Sequence, residues 1–356
     1  MGYLIWLVYP ASALVGCYIG GAYTWLAFGL TFALLPLVDY WVGVDSSTPK
    51  TGTPVFPISL ATSIVAVVLY YTFVGLVLYS LRVHEHGVVS FVGICFSASA
   101  ISGIFMSSLS HEISHKDGEI FPYISIFMLS PIGYSHHVVE HLYSHHHFAG
   151  TSKDPATARY HQSLYSFLIQ TLKYGTYGSF RYEFFRLRKK GGSPVSFKNR
   201  VAFGWLLTLA LWAAAISQFG PRGLVFLMCH ALLSIIWIET LNYIEHYGLK
   251  RQKNKYNRYQ EFGPKHAWDS DHLISNLVLL RQGRHSSHHI DPKRPFYKLE
   301  GSDKSPKLPF GYLGMVLIAF VPPLWSYIMD PLAQRIRRKI PLWHRDSSEE
   351  DDDEAS

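Results

Sequence analysis

Nine histidines fall into three tight clusters and one isolated position. His111 and His115 stand four apart in "HEISHKDGE". His141, His145 and His146 follow in "EHLYSHH", and His285, His288 and His289 in "RHSSHH"; His246 ends the "NYIEH" stretch. Residues four apart share a face of a helix, so each cluster can turn two or more rings the same way. A buried imidazole brings a donor and an acceptor that need partners. Three clusters of this kind in one apolar chain predict metal ligation. Imidazole suits Zn, Cu, Fe or Ni, and no thiolate competes, because Cys17, Cys95 and Cys229 lie far apart in apolar runs. A tetrahedral zinc site takes about four ligands. Nine imidazoles are enough for two ions, and two redox metals side by side suit the activation of O2. Two iron ions, with O2 as co-substrate, are therefore expected.

One motif argues for different chemistry. "HEISH" matches H-E-x-x-H, where two histidines hold zinc and the glutamate acts as the general base of a protease. That reading leaves the other clusters without a role, and Glu112 is better read as an acceptor for a ligating ring. Glu140, Glu245 and Asp154 are similar candidates, because each lies beside or shortly after a ligand position. His84, His86, His161, His230 and His344 are read as ordinary interfacial or packing histidines, and His136, His137 and His147 are assigned no role.

The elements that position these residues read as membrane helices. The chain has 356 residues, 49% hydrophobic and only 16% charged, with a mean hydropathy of +0.11. An ordinary soluble domain is roughly a quarter charged. Apolar runs near the roughly 20 residues of a bilayer span predict three hairpins. They are Tyr3 to Gly20 with Gly21 to Tyr40, Ile58 to Leu81 with Val88 to Leu109, and Val201 to Phe219 with Leu224 to Tyr243. A further run, Gly311 to Met329, is interrupted by Pro322 and Pro323, and sequence leaves open whether it spans, re-enters or lies at the interface. Residues 110 to 200 hold 11 Lys and Arg and residues 245 to 310 hold 13, against Arg82 and Arg222 alone in the two short turns. By the positive-inside tendency both long segments, and with them the nine histidines, face the cytoplasm.

The fold class expected is thus an all-α integral membrane protein, with six transmembrane helices under a cytoplasmic, histidine-rich di-iron cap. Residues 1–335 form one membrane-embedded domain. Residues 336–356 form a tail, first basic and then acidic ("SSEEDDDEAS"), that is too polar to pack. Arg335 to Lys339 are placed against anionic lipid headgroups.

"HEISHK", "EHLYSHH", "NYIEHYGL" and "RHSSHH", in this order, resemble the alkane 1-monooxygenase family, membrane-bound non-haem di-iron enzymes of the desaturase and hydroxylase superfamily. "PLVD" at 36–39, "DPATAR" at 154–159 and "GYLGMVLIAFVPPLW" extend the resemblance over roughly residues 20 to 335. It implies terminal hydroxylation of an alkane or similar methyl group to a primary alcohol, with the nine histidines as iron ligands. A fatty-acyl desaturase or hydroxylase of the same superfamily is the alternative. The chain departs from the family at Ser144, where a Gly is usual, at Ser287, where an Asp is common, and at "KHAWD" (Lys265 to Asp269), which replaces two histidines followed by "SWN".

The substrate expected is a hydrophobic alkyl chain, in contact with membrane lipid; nothing points to nucleic acid. Trp25, Phe28, Trp41 and Phe105 are candidate lining residues, with a lipid-facing or packing position the favoured reading for each. With no cysteine cluster of its own, the chain needs an external electron-transfer protein of the rubredoxin or ferredoxin type, with its reductase. The net positive loops favour an acidic donor.

Overall fold

Ser59 shows how the long helices begin. Its hydroxyl accepts from the Thr62 N–H at 3.3 Å while its own N–H donates to Thr62 Oγ1 at 2.8 Å. This reciprocal cap opens a 24-residue apolar helix, Leu60–Val83. At 1.5 Å per residue the helix is about 36 Å long, enough to cross a bilayer core. The structure, a computed structural model, describes residues 5–45 and 58–338. The acidic tail and Lys339 lie outside the described residues.

In chain order the helices are α1 (Ile5–Ile19), α2 (Gly21–Val42), α3 (Leu60–Val83), α4 (Val88–Ser114), α5 (Ile120–Leu129), α6 (137–148), α7 (Leu164–Lys189), α8 (Arg200–His246), α9 (Leu273–Val278), α10 (His285–Ile290), α11 (Tyr312–Ala319) and α12 (Pro322–Arg338). Among the described residues there is no strand, only three isolated bridges. Four helices, α2, α3, α4 and α8, are long and apolar enough to cross a membrane. Their outward faces stay apolar, with Ile64, Val68, Leu209 and Leu232 all at least half exposed. Such a surface needs lipid around it.

The 47-residue α8 covers the third predicted hairpin. Gly220 sits at φ 70° and is followed by Pro221, so the helix breaks there. Arg82 donates to the Gln218 carbonyl and Arg222 Nη2 to the His86 carbonyl at 2.6 Å. The middle of α8 therefore meets the α3–α4 turn. Both its ends return to the histidines: Arg200 Nη1 donates to Tyr143 at 2.7 Å, and the His246 ring lies 5.0 Å from that of His145. The two arms are antiparallel.

α4 and α8 touch closely. A Cβ on Gly103 would lie 2.6 Å from the Ser234 carbonyl oxygen, so only glycine fits at this crossing. Around it α4 widens into a π-helical stretch, Ile101–Met106. Such stretches recur at functional sites, and here it immediately precedes the turn that carries His111.

One element differs from the sequence reading, and the structure bears on two points that the sequence left open. α7 was not anticipated: its buried residues are Leu164, Phe167, Thr171, Gly175, Ser179, Glu183 and Leu187, a four-residue repeat made mostly of small or polar types. Periodicity of apolar residues gives no signal for such a helix. The run Gly311 to Met329 resolves into α11 and the start of α12, with Pro322 opening the second helix; α11 is about 12 Å long, too short to span. Trp41 is 85% exposed, Phe105 packs on Trp6 and Tyr9, and Trp25 and Phe28 both pack on Phe96, which are the lipid-facing or packing positions favoured for these residues.

Candidate metal centre

The nine histidines named from sequence converge into two adjacent groups. His111, His115, His141, His146 and His288 form one; His145, His246, His285 and His289 form the other. Within each group the ring nitrogens lie within 4.8 Å of one another. Four elements supply them: the end of α4, the short helix α6, the end of α8 and α10. Helix spacing does not decide the grouping. His141 and His145, four apart, fall in different groups because α6 passes through a π-helical turn at His141–His145, and His146 completes the first group instead. On α10, His285 and His289 point to one group and His288 to the other.

The nitrogen spacing fits shared cations. In the five-histidine group the Nε2 atoms of His115, His141 and His146 lie 3.0 to 3.1 Å apart, and that of His288 is 3.2 Å from His146. In the four-histidine group, His145 to His289, His289 to His285, and His285 to His246 are separated by 3.1, 3.0 and 3.1 Å. A metal–imidazole bond of about 2.1 Å brings neighbouring nitrogens to about 3.0–3.4 Å. The Nε2 of His111 is buried without a protein partner, as a lone pair awaiting an ion would be. The groups adjoin, the His146 and His289 rings lying 4.4 Å apart.

Burial keeps several of these rings neutral. It lowers His115 to about 3, helped by the charges of His145 and Lys116, and it holds His141, His146, His285, His288 and His289 well below the ordinary histidine value. Neutral rings keep the lone pairs that metals bind.

A carboxylate backs one of them directly, and another lies close to a second. His145 Nδ1 lies 2.9 Å from Asp154 Oδ2, which also accepts from Thr157 at 2.6 Å. Burial raises the Asp154 carboxyl, but His145 and the hydrogen bond from Thr157 outweigh it and hold the group below the usual value. Glu245 Oε1 lies 3.4 Å from His285 Nδ1 and accepts from Gln282 at 3.0 Å. His246 Nδ1 donates to the His266 carbonyl at 3.0 Å. Such contacts fix which nitrogen of each ring faces inward. Glu140 lies instead beside His137, 3.8 Å from its Nδ1, and its carboxyl is raised first by burial and then by Asp154 and Glu239. Glu112 pairs with Lys116 at 2.8 Å.

Sequence reasoning missed Glu239. It lies inside α8, accepts from Tyr134, Thr171 and Asn242, and comes within 3.8 Å of His137. A carboxylate within an apolar span was the signal that could have found it. His137, assigned no role from sequence, lines a cavity of about 30 Å³ together with His111, His141, Leu129, Val138, Ile238 and Leu241.

The fatty acid desaturase family matches residues 86–301. The chain is 36% identical to alkane 1-monooxygenase 1 of Pseudomonas aeruginosa, over 86% of this chain and 82% of that protein. It is 32% identical to alkane 1-monooxygenase 2 of Alcanivorax borkumensis, over 90% and 86%. A xylene/toluene monooxygenase hydroxylase component of Pseudomonas putida is 28% identical, over 91% and 85%. A histidine-built, two-group centre at the end of apolar helices, joined to these likenesses along nearly the full chain, places the protein in the alkane 1-monooxygenase family, within the fatty acid desaturase family.

Proposed function

We propose that the protein is an O2-dependent membrane monooxygenase that hydroxylates the terminal carbon of an alkane, or a similar alkyl methyl group, to a primary alcohol. The observation that carries this reading is the division of nine histidines, six of them buried and three half-buried, into adjoining groups of five and four. His111, His115, His141, His146 and His288 would hold one iron, and His145, His246, His285 and His289 the other. Bound there, a pair of irons supplies the two-electron activation of O2 and the transfer of one oxygen atom.

The remaining work belongs to the chain. Asp154 orients His145, and the His266 carbonyl orients His246. Leu129, Val138, Ile238 and Leu241 wall the cavity beside His111 and His141 with apolar surface, suited to a methyl group that offers nothing polar to grip. Burial, helped by Asp154 and Glu239, raises the carboxyl of Glu140 beside His137.

The long apolar helices α2, α3 and α4, the two arms of α8 and the shorter α1 support six spans. The basic residues of 110–200 and 245–310 support a cytoplasmic centre. Residues 1–335 are read as one membrane-embedded unit followed by a tail. The electrons come from an external rubredoxin- or ferredoxin-type protein with its reductase, drawn to the basic loops.

The test is product analysis. Detergent-purified protein supplied with a reducing system and octane under ¹⁸O2 is expected to form 1-octanol carrying one labelled oxygen. An unsaturated product, or alcohol without label, would overturn the proposal.

A further inference from the structure

Asp269 closes the "KHAWD" stretch, where the chain departs from its family, and it is fully buried. Its carboxylate accepts from the Ser286 N–H at 2.8 Å, from the Ser286 hydroxyl at 2.7 Å and from the Ser305 hydroxyl at 2.6 Å. Lys307 Nζ stands 3.9 Å away. Ser286 lies between His285 and His288 in the first turn of α10, so Asp269 grips the helix that carries three of the nine histidines.

The backbone around Asp269 ties this grip to α8. Trp268 N–H donates to the Glu245 carbonyl at 2.9 Å and Trp268 Nε1 to the Tyr247 carbonyl at 2.8 Å, on either side of His246. Ser270 N–H donates to the Gly283 carbonyl at 2.7 Å, just before α10. Asp269 N–H donates to the Pro306 carbonyl, and the Leu308 N–H returns to Asp269 at 2.9 Å. Residues 266–270 thus form a strap between the end of α8 and the start of α10. The four-histidine group takes His246 from α8 and His285 and His289 from α10. Three of its four rings depend on how these two helices are joined.

We propose that Asp269 is the positioning residue that sets α10 against the end of α8, and so fixes the four-histidine group. This rests on the metal reading of the nine histidines. The five-histidine group depends on the strap less, because only His288 of its members sits on α10. Loosening α10 therefore impairs one ion far more than the other.

The experiment uses full-length, metal-free protein in detergent, titrated with cobalt(II) and followed by its ligand-field absorption. The wild-type chain is expected to take up two equivalents. Asp269→Ala is expected to keep its helical circular dichroism and bind one equivalent as the wild type does. The second should bind at least tenfold more weakly, in line with lost outer-shell support at other metal sites, and with shifted bands. Asp269→Asn, whose amide oxygen still accepts from the Ser286 N–H, is expected to restore most of the second equivalent. If Asp269→Ala does not fold, Ser286→Ala removes one hydroxyl bond to the same carboxylate and is expected to weaken the same equivalent selectively. Wild-type binding and spectra in Asp269→Ala, or in Ser286→Ala where only that variant folds, would overturn the proposal, as would equal weakening of both equivalents. A wild-type chain that takes up fewer than two equivalents overturns the metal reading itself, a failure seen before any variant is measured.

Discussion

Replacing Asp154 by Asn tests whether the outer contacts of the centre matter as the geometry implies. Asp154 meets His145 Nδ1 at 2.9 Å, the Thr157 hydroxyl at 2.6 Å and the Ala156 N–H at 3.1 Å, so its two oxygens serve three donors. An Asn has one acceptor oxygen. If that oxygen keeps Ala156, the amide NH2 faces His145 Nδ1–H, donor against donor. The His145 ring then loses both its anchor and the charge that made it a better ligand. Losses of this kind cost about 10- to 100-fold in metal affinity, which is about 1.4–2.7 kcal/mol. His145 belongs to the four-histidine group alone, so only one of two ions should be affected. Isothermal titration of metal-free protein with iron(II) under anaerobic conditions separates the two binding steps. One step weakened within that range, with the other unchanged, is the expected outcome. Unchanged binding in both steps would refute the role given to Asp154, and equal weakening of both would refute the division into two groups.

Three other perturbations have definite expected results. Gly103→Ala pushes a methyl against the Ser234 carbonyl, 2.6 Å away, and should lower stability by about 1–3 kcal/mol, seen as an earlier thermal midpoint in detergent. Arg200→Ala leaves the fully buried Glu183 with Arg186 as its remaining cation and should cost about 3 kcal/mol, the low end for a broken buried pair, by the same measurement. The third concerns pH. His115 and His137 are each held down to about 3, chiefly by burial, whereas in an unfolded chain they titrate near about 6.5. Between these values the unfolded state binds protons that the folded state refuses, so the burial of these two rings costs the metal-free protein stability as pH falls below about 6.5. Midpoints measured from about pH 8 to about pH 5 should fall on the acid side, and a midpoint that rises on acidification would contradict the burial argument.

The clusters themselves were legible in the sequence, because imidazoles this dense in an apolar chain need partners. The membrane helices were legible for the same reason that lipid demands them, namely long runs without charge. Which histidine joins which group was not legible. Spacing places His141 and His145 on one helix face, but the π-helical turn at His141–His145 and the packing of α6 against α10 separate them. The helix α7 escaped notice because it packs through Thr171, Gly175 and Ser179, whose burial rests on close approach and hydrogen bonds. Asp269 was seen only as part of a departure from the family pattern. Its partners Ser286 and Ser305 lie 17 and 36 positions away, and no local pattern joins them.

The most direct test of the account is the metal content of the purified chain. Quantitative mass spectrometry of iron and zinc, referred to protein by amino-acid analysis, should give about two irons and no stoichiometric zinc, because nine imidazoles in two groups exceed a four-ligand zinc site. One zinc per chain, or a single iron that cannot be raised to two by anaerobic reconstitution, would contradict a centre built from two histidine groups.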